Sequence, residues 1–534
     1  MNKEIVINRE TDSTTPYVER IKKETEGLRM WDYLKYDSEG NLHINDLKIV
    51  DIAGATGTPL EIVDTRITEK RAKEWIDLSK KVARDVGYEG GIDYLYASKA
   101  DPAAEIVTAA IRSGWGIETS SALDLVNIEW LLDNGIAPKN LKVVCNGLKL
   151  HPAVYNKPSV QAVLPKDIKV NGITARKAAR HYGVSYAEMI TKLASNNVDI
   201  VPVIDSIDEL NYFAQPNEIP EMNVGVRLKV YGTAFDNTQL SKLVARHGMD
   251  WETINKAANR IQKIPHLTLT MFHAMMGAAE TIPVDDIVGT ILHTADLYFE
   301  LKKNHQTLKS FNMGGGVPPL GFGYNHEEFL TKLFVGLKKK AAEHDCEEPI
   351  IVFEFGSYVA AEAGHHVMQI IHEKENSIEE NGKNIPWGIV DTPFMRAIPD
   401  MLVIDRDDFI VLAANNANNL AQYMRLGDLT CDSDGRWPTK DMEKKGKKGI
   451  LVPKSDEEQL MVIVATKAYG EQLTGVGGVG HCGLMEPVEL IIEEIDGKPN
   501  ARLVPRQGYK EASKLLGYNQ DSIESLKAAT KGKK

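Results

Sequence analysis

The sequence predicts an α/β fold: a (β/α)8 barrel joined to a mainly β C-terminal domain that the N-terminal segment completes. Three observations predict it. From about residue 90 a short β-rich run, a turn and an amphipathic helix recur eight times, and strand alternating with helix favours parallel βαβ units. Eight such units over roughly 270 residues match the usual size of this barrel. Beyond about residue 357 the rhythm gives way to strand-like runs punctuated by Gly, Asp and Pro, the pattern of a mainly β domain. A doubly wound open sheet is the alternative reading of the same alternation.

Taken in order, the barrel runs are Asp93 to Lys99, Gly116 to Ser120, Lys142 to Gly147 and Ile200 to Asp205, then Val224 to Leu228, Leu267 to His273, Ser310 to Gly316 and Ile350 to Gly356. Ala103 to Ile111 and Asp286 to Lys302 are examples of the helices between them. Residues 1–65, with the strand-like stretches IVINRE and LHINDLKIVDIAG, join the β domain; 66–356 form the barrel; 357–534 carry the strand-like runs HHVMQII, DMLVIDR, FIVLA and LMVIVATKAY. Asp236 to Lys263, between the fifth and sixth strands, reads as a helical insertion. The tract DMEKKGKKG and the tail KGKK read as solvated loop and frayed terminus.

Bulk properties narrow the function. A chain of 534 residues is too long for one small core. The composition, 43% hydrophobic and 26% charged, is that of a globular protein, and a net charge of -12 argues against nucleic acid as a partner, which needs a basic face. That charge suits a cationic small-molecule substrate. The start lacks the apolar run of a secretory signal, and the hydrophobic runs are too short or too charged to span a membrane. Four cysteines with no CxxC pair predict a reducing, cytoplasmic setting and no metal site.

The polar and glycine residues gather at the ends of the strand runs, and in such a barrel chemistry sits at the carboxyl ends of the strands. Lys99 ends the apolar run YLYASKA; burial there lowers a lysine pKa and makes the amine nucleophilic enough for an imine. A lysine snorkelling from a strand end is the alternative. Gly314, Gly315 and Gly316 follow the seventh run, exposing backbone N–H groups to an approaching phosphate, although glycine turns are common in such loops. Glu354, in VFEFGS, fits a carboxylate that keeps a pyridine nitrogen protonated, or a structural ion pair. His273, in MFHAMM, reads as a ring-stacking residue or as a core histidine. In LGDLTCDSDGRWP the polarity implies a loop: Cys431 could donate a proton to a carbanion, and Asp432 could hold a cationic substrate tail. Calcium binding competes for that loop, without the spacing of a known calcium motif.

Together the motifs YASKAD, GIETSS, VCNGLK, MFHAMM, NMGGGVP, FEFGS, TCDSDG and KAYGEQL, in this order between about residues 55 and 490, resemble the fold-type III pyridoxal-phosphate decarboxylases. LGDLTCDSDGRW, VCNGLK and KAYGEQLTGVGGVGHCG look most like the biosynthetic arginine decarboxylases. The resemblance implies a pyridoxal 5'-phosphate enzyme in which Lys99 forms the Schiff base, His273 stacks on the ring and Glu354 pairs with its nitrogen. It implies that Gly314, Gly315, Gly316, Gly356 and the Tyr469 hydroxyl hold the phosphate. Cys431 then protonates the substrate carbon and Asp432 binds the distal group, both in a partner subunit's site, which implies a homodimer. The implied reaction is decarboxylation of L-arginine to agmatine in polyamine biosynthesis. Ornithine, lysine, diaminopimelate or a carboxylated polyamine is the alternative substrate, and a non-catalytic regulatory homologue the alternative class. Three positions depart from the family pattern: Ser357 replaces an arginine, Met275-Met276 replace Gly-Ser, and Lys467 replaces a glycine two residues before Tyr469. Lys467 could return the positive charge that Ser357 removes.

Overall fold

Parallel strands buried on both faces favour continuous apolar runs over alternation, as in DIVPVI and IIVFEF, while LTLTMFH alternates Leu with Thr along its first half. In the computed structural model the barrel strands are Ile92–Ala97, Gly116–Thr119, Lys142–Cys145, Asp199–Ile204, Met222–Arg227, Leu267–His273, Ser310–Asn312 and Ile350–Phe355. The structure describes residues 15–149, 185–216, 219–230, 246–275, 283–319, 324–375, 385–400, 409–447, 449–475, 477, 480–504, 508–520, 523 and 527. The eight strands pair in chain order, all parallel, and the first closes on the eighth. Leu95, Val144, Val201, Val203, Met271 and Val352 form a buried cluster contributed by barrel strands, the branched filling expected of such a core.

Helices start where the sequence supplies caps. Ser121 caps Ala122–Asp133 in a reciprocal capping box with Asp124, and Ser185 does the same with Glu188 for Tyr186–Ser195, each cap being worth about 1 kcal/mol. Helices Ala104–Arg112 and Val284–Asn304 stand where helices were expected. The reading of Asp236 to Lys263 as a helical insertion is corrected in its described part: Trp251–Ile261 packs on the fifth and sixth strands. It is therefore the crossover helix every βα unit needs. Residues 236–245 of that segment lie outside the described residues.

The chain divides into two compact units, residues 72–318 with 324–356, which hold the barrel, and residues 1–71, 319–323 and 357–534. The second unit is built on a mixed ten-stranded sheet. Its N-terminal strand Leu60–Asp64 lies between Gly364–Lys374, antiparallel, and Val488–Ile495, parallel, so the N-terminal segment completes the β sheet. Arg71 and Glu362, both fully buried, pair at 2.7 Å there.

Three local expectations need correction. IVDIAGAT is the helix Ile49–Thr56, not strand: Ile49 and Ala53, four residues apart, are its buried face, and Gly57 ends it at φ 80°. DMEKKGKKG begins within the helix Lys440–Lys444, capped by Thr439 and anchored by buried Met442, so it is not all loop. The runs IVINRE and DMLVIDR and the tail KGKK fall outside the described residues, apart from Asp400.

Candidate active site

The first barrel strand ends at Ala97, and a tight turn closed by Ala100 N–H to the Ala97 carbonyl at 3.0 Å carries Lys99. The Lys99 amine donates to Glu118 at 3.2 Å. It is 45% exposed while Glu118 is fully buried. This corrects the burial argument for Lys99: the lysine stands beyond the strand, held by a carboxylate rather than by an apolar wall.

Glu118, on the second strand, shares a donor with Glu354, on the eighth. Asn146, just past the third strand, donates through Nδ2 to Glu118 at 3.1 Å and to the two Glu354 oxygens at 2.9 and 2.8 Å. Asn312, the last residue of the seventh strand, donates to Glu354 at 2.6 Å and accepts from the Gly314 N–H at 2.9 Å. His273, the last residue of the sixth, lies with Nε2 3.4 Å from Glu354. Residues from the first, second, third, sixth, seventh and eighth strands or their ends thus converge at the carboxyl end of the barrel.

Their electrostatics diverge. Burial pushes Glu118 up to about 7, against the pull of Lys99 and with the neighbouring Glu354 charge adding to the rise. Burial also works against ionising Glu354, but His273, Lys99 and the Asn312 hydrogen bond outweigh it and bring it down to about 2. Burial holds His273 below the usual imidazole range despite Glu354, so its charge fades at neutral pH and the asparagines and Lys99 carry the Glu354 anion. Two like charges this close separate their titrations: Glu354 ionises first and Glu118 keeps its proton to higher pH.

The glycines have steric work of their own. Gly314 and Gly316 adopt φ 76° and 100°, which disfavour any side chain. A Cβ at Gly315 would strike the Glu354 carbonyl, and one at Gly356 would strike Ala100 in the Lys99 turn. The tract is therefore required for strand packing whether or not a phosphate lies on it.

Cys431, Asp432 and Tyr469 belong to the other unit. Cys431 is exposed and Asp432 half-buried, in the turn between strands Ala421–Gly427 and Arg436–Trp437. Tyr469 holds φ 56°, uncommon for a bulky residue and typical of functional positions. Lys467 is buried and paired with Glu489 at 2.7 Å and Glu61 at 3.6 Å, so its charge is already neutralised and the role of replacement phosphate ligand loses its support. Sequence pattern assigned no role to Glu118, inside the run Gly116 to Ser120, nor to Asn146 and Asn312, although the last two stand at the strand ends VCNG and FNMGGG.

The site fits pyridoxal phosphate at its ring end. The Asn146 Oδ1 and the Nδ1 of His273 are buried without a hydrogen-bond partner, beside an ionised carboxylate and a reachable amine. At the phosphate end, Ser357 and Met275 bring no positive charge.

Comparison with known proteins agrees on the architecture. The chain aligns with the crystal structure of the biosynthetic arginine decarboxylase of Campylobacter jejuni at a TM-score of 0.72, 16% identity and coverage of 95% of this chain and 94% of that one. It aligns with a diaminopimelate decarboxylase of M. jannaschii at 0.67, 16% identity, and 90% and 96% coverage. The chain has the fold of the fold-type III pyridoxal-phosphate decarboxylases. In sequence it is 22% identical over 322 residues to the biosynthetic arginine decarboxylase of Pasteurella multocida, 57% of this chain and 44% of that protein. It is 20% identical over 308 residues to that of Yersinia pestis, 54% of this chain and 40% of that protein. The match thus spans less than half the length of these curated relatives. No family model matches the chain.

Proposed function

We propose that this protein is a pyridoxal-phosphate-dependent carboxy-lyase that decarboxylates a basic amino acid, L-arginine to agmatine and CO2 before all others. The observation that carries the reading is the placement of the Lys99 amine and the ionised Glu354 in one network, bridged by Glu118 and Asn146. Lys99 would hold the cofactor's carbonyl carbon, Glu354 its ring nitrogen, and His273 its ring face. The backbone of Gly314, Gly315, Gly316 and Gly356, with the Tyr469 hydroxyl, would hold its phosphate. Bound there, the cofactor supplies an electron sink for the pair left when CO2 departs.

The chain's own residues do the rest. Glu118 receives or returns the proton that the Lys99 amine exchanges, at a pKa of about 7 suited to that task at neutral pH. The Cys431 thiol delivers a proton to the substrate carbon, and Asp432 holds the distal cation of the substrate by a charge-assisted hydrogen bond. These two serve the barrel of a second copy, making the enzyme a homodimer. Exposed Leu123, Val126 and Trp130, three to four residues apart on the helix Ala122–Asp133, are apolar surface of the kind that self-association covers. No described helix is long and apolar enough to cross a membrane. A cytoplasmic location belongs to the same reading, four cysteines in so long a chain suiting a reducing compartment.

The test is a spectrum and a product. Wild-type protein should show the visible absorbance of lysine-bound pyridoxal phosphate and release agmatine from arginine; Lys99→Ala should lose both. An unchanged spectrum in that variant would reject Lys99. Agmatine absent while ornithine, lysine, diaminopimelate or a carboxylated polyamine is decarboxylated would move the substrate assignment, and no turnover of any would favour a regulatory homologue.

A further inference from the structure

Cys431 has two neighbours that the decarboxylation chemistry does not use. Its Sγ lies 3.3 Å from Cys482 Sγ and 4.0 Å from His481 Nε2, and the three donor atoms all lie within 4.8 Å of one another. The two segments are 51 residues apart in sequence, so no local spacing announces the cluster.

Both loops are built to hold it. Asp428 accepts from the Thr430 N–H at 2.8 Å, the Thr430 hydroxyl at 2.6 Å and the Phe394 N–H at 3.0 Å, fixing the turn that carries Cys431. The second loop closes through Gly480 N–H to the Leu484 carbonyl at 3.1 Å. It is anchored by the buried pair of Arg396 and Glu486 at 2.6 Å. Cys482 itself sits at φ 58°, ψ 18°, a left-handed conformation costly for a residue with a Cβ. That turn brings its sulfur to Cys431, whose own N–H reaches it at 3.3 Å.

We propose that Cys431, His481 and Cys482 form a three-ligand site for a zinc-type divalent cation, with the fourth position open to water. Two thiolates and an imidazole are the donor set that such an ion prefers. Tetrahedral zinc sets two sulfurs about 3.8 Å apart, so the observed pair needs to open only by about half an ångström. A disulfide, at about 2.05 Å, requires a closure of more than an ångström. All three residues are exposed in the single chain, which leaves a coordination position open to water there. On binding, each thiol releases its proton to solvent as a sulfur–metal bond forms, and nothing is oxidised or reduced. The metal then occupies the sulfur assigned above to proton delivery, so it acts as a reversible inhibitor. That consequence alone rests on the functional reading; the site does not.

The test uses the full-length, cofactor-loaded protein reduced with a phosphine and freed of metal. Zinc titrated against a chromophoric chelator should bind at one equivalent per chain, and cobalt should give thiolate-to-metal charge transfer and intense visible bands. Cys482→Ser and His481→Ala should each weaken binding by about 100-fold, while His481→Cys should retain it; unchanged thermal unfolding shows that the exposed substitutions leave the fold intact. Absence of stoichiometric binding, wild-type affinity in both the Cys482→Ser and His481→Ala variants, or formation of only a Cys431–Cys482 disulfide would overturn the proposal. Zinc bound at one equivalent without loss of decarboxylation would support the site and remove Cys431 from catalysis.

Discussion

Asn146 donates to both carboxylates of the buried pair, and its single amide helps to decide which of them keeps a proton. Glu354 receives Asn146 on both oxygens and Asn312 on one. Glu118 is fully buried and receives Asn146 and Lys99. Hydrogen bonds to a charged group are worth about 1.5–3 kcal/mol, and leaving a buried carboxylate short of donors costs as much again. Asn146→Leu is therefore expected to destabilise the barrel by about 2–3 kcal/mol in urea unfolding, and to weaken pyridoxal-phosphate binding by raising the Glu354 pKa. Unaltered affinity with the same loss of stability would confine Asn146 to a structural role. The sequence did not single this residue out, because asparagine at a strand end is an ordinary turn residue. Lys99 and Glu354 stood out only because a charge in an apolar run needs a reason, and the reason given for Lys99 was wrong in kind: a carboxylate partner, not burial.

At the scale of elements, apolar runs with turns at fixed intervals were enough to place all eight barrel strands, to within two residues at their starts. Their ends ran long where turn residues such as Met313 and Gly314 continue the apolar stretch. The helix Ile49–Thr56 was misread because its Ile and Val favour strand, while in the structure Ile49 and Ala53 form one buried face and the helix packs on the short strands Leu42–Ile44 and Leu47–Lys48 just before it. The strand Gly364–Lys374 carries a consequence for stability. His365 and His366 are both buried in it, and burial holds each down to about 4, for His365 against the pull of Asp64 and Glu362. Unfolded, each binds a proton below about 6.5, so between about 6.5 and 4 protons favour the unfolded state. Stability is full above that window and falls as pH drops through it, by on the order of 3 kcal/mol per histidine. His366→Gln, which keeps a polar partner for Thr392, should flatten the fall in urea midpoint between pH 7 and 4.5. Parallel slopes in the two proteins would show that other groups control the acid limb.

For the molecule as a whole, a strand from the first 71 residues lies between strands from the last 180 or so, and this pairing of distant segments was legible as a tendency of the N-terminal segment to be β, not as a register. The residues proposed for one reaction are divided between the two units: Lys99 and Glu354 in the barrel, Cys431 and Asp432 outside it. If the latter pair serves a second copy, a closed two-fold dimer holds two sites, each assembled from both chains. A Lys99→Ala chain and a Cys431→Ala chain, each inactive as a homodimer, would then complement one another. Random exchange of equal amounts makes half the dimers mixed, and in each mixed dimer one site has both mutations and the other has neither. Activity should recover to roughly a quarter of wild type, as measured by agmatine release after mixing and re-equilibration. Recovery requires subunit exchange, which co-expression with two affinity tags guarantees. A purified mixed dimer with no activity would place Cys431 in the site of its own chain.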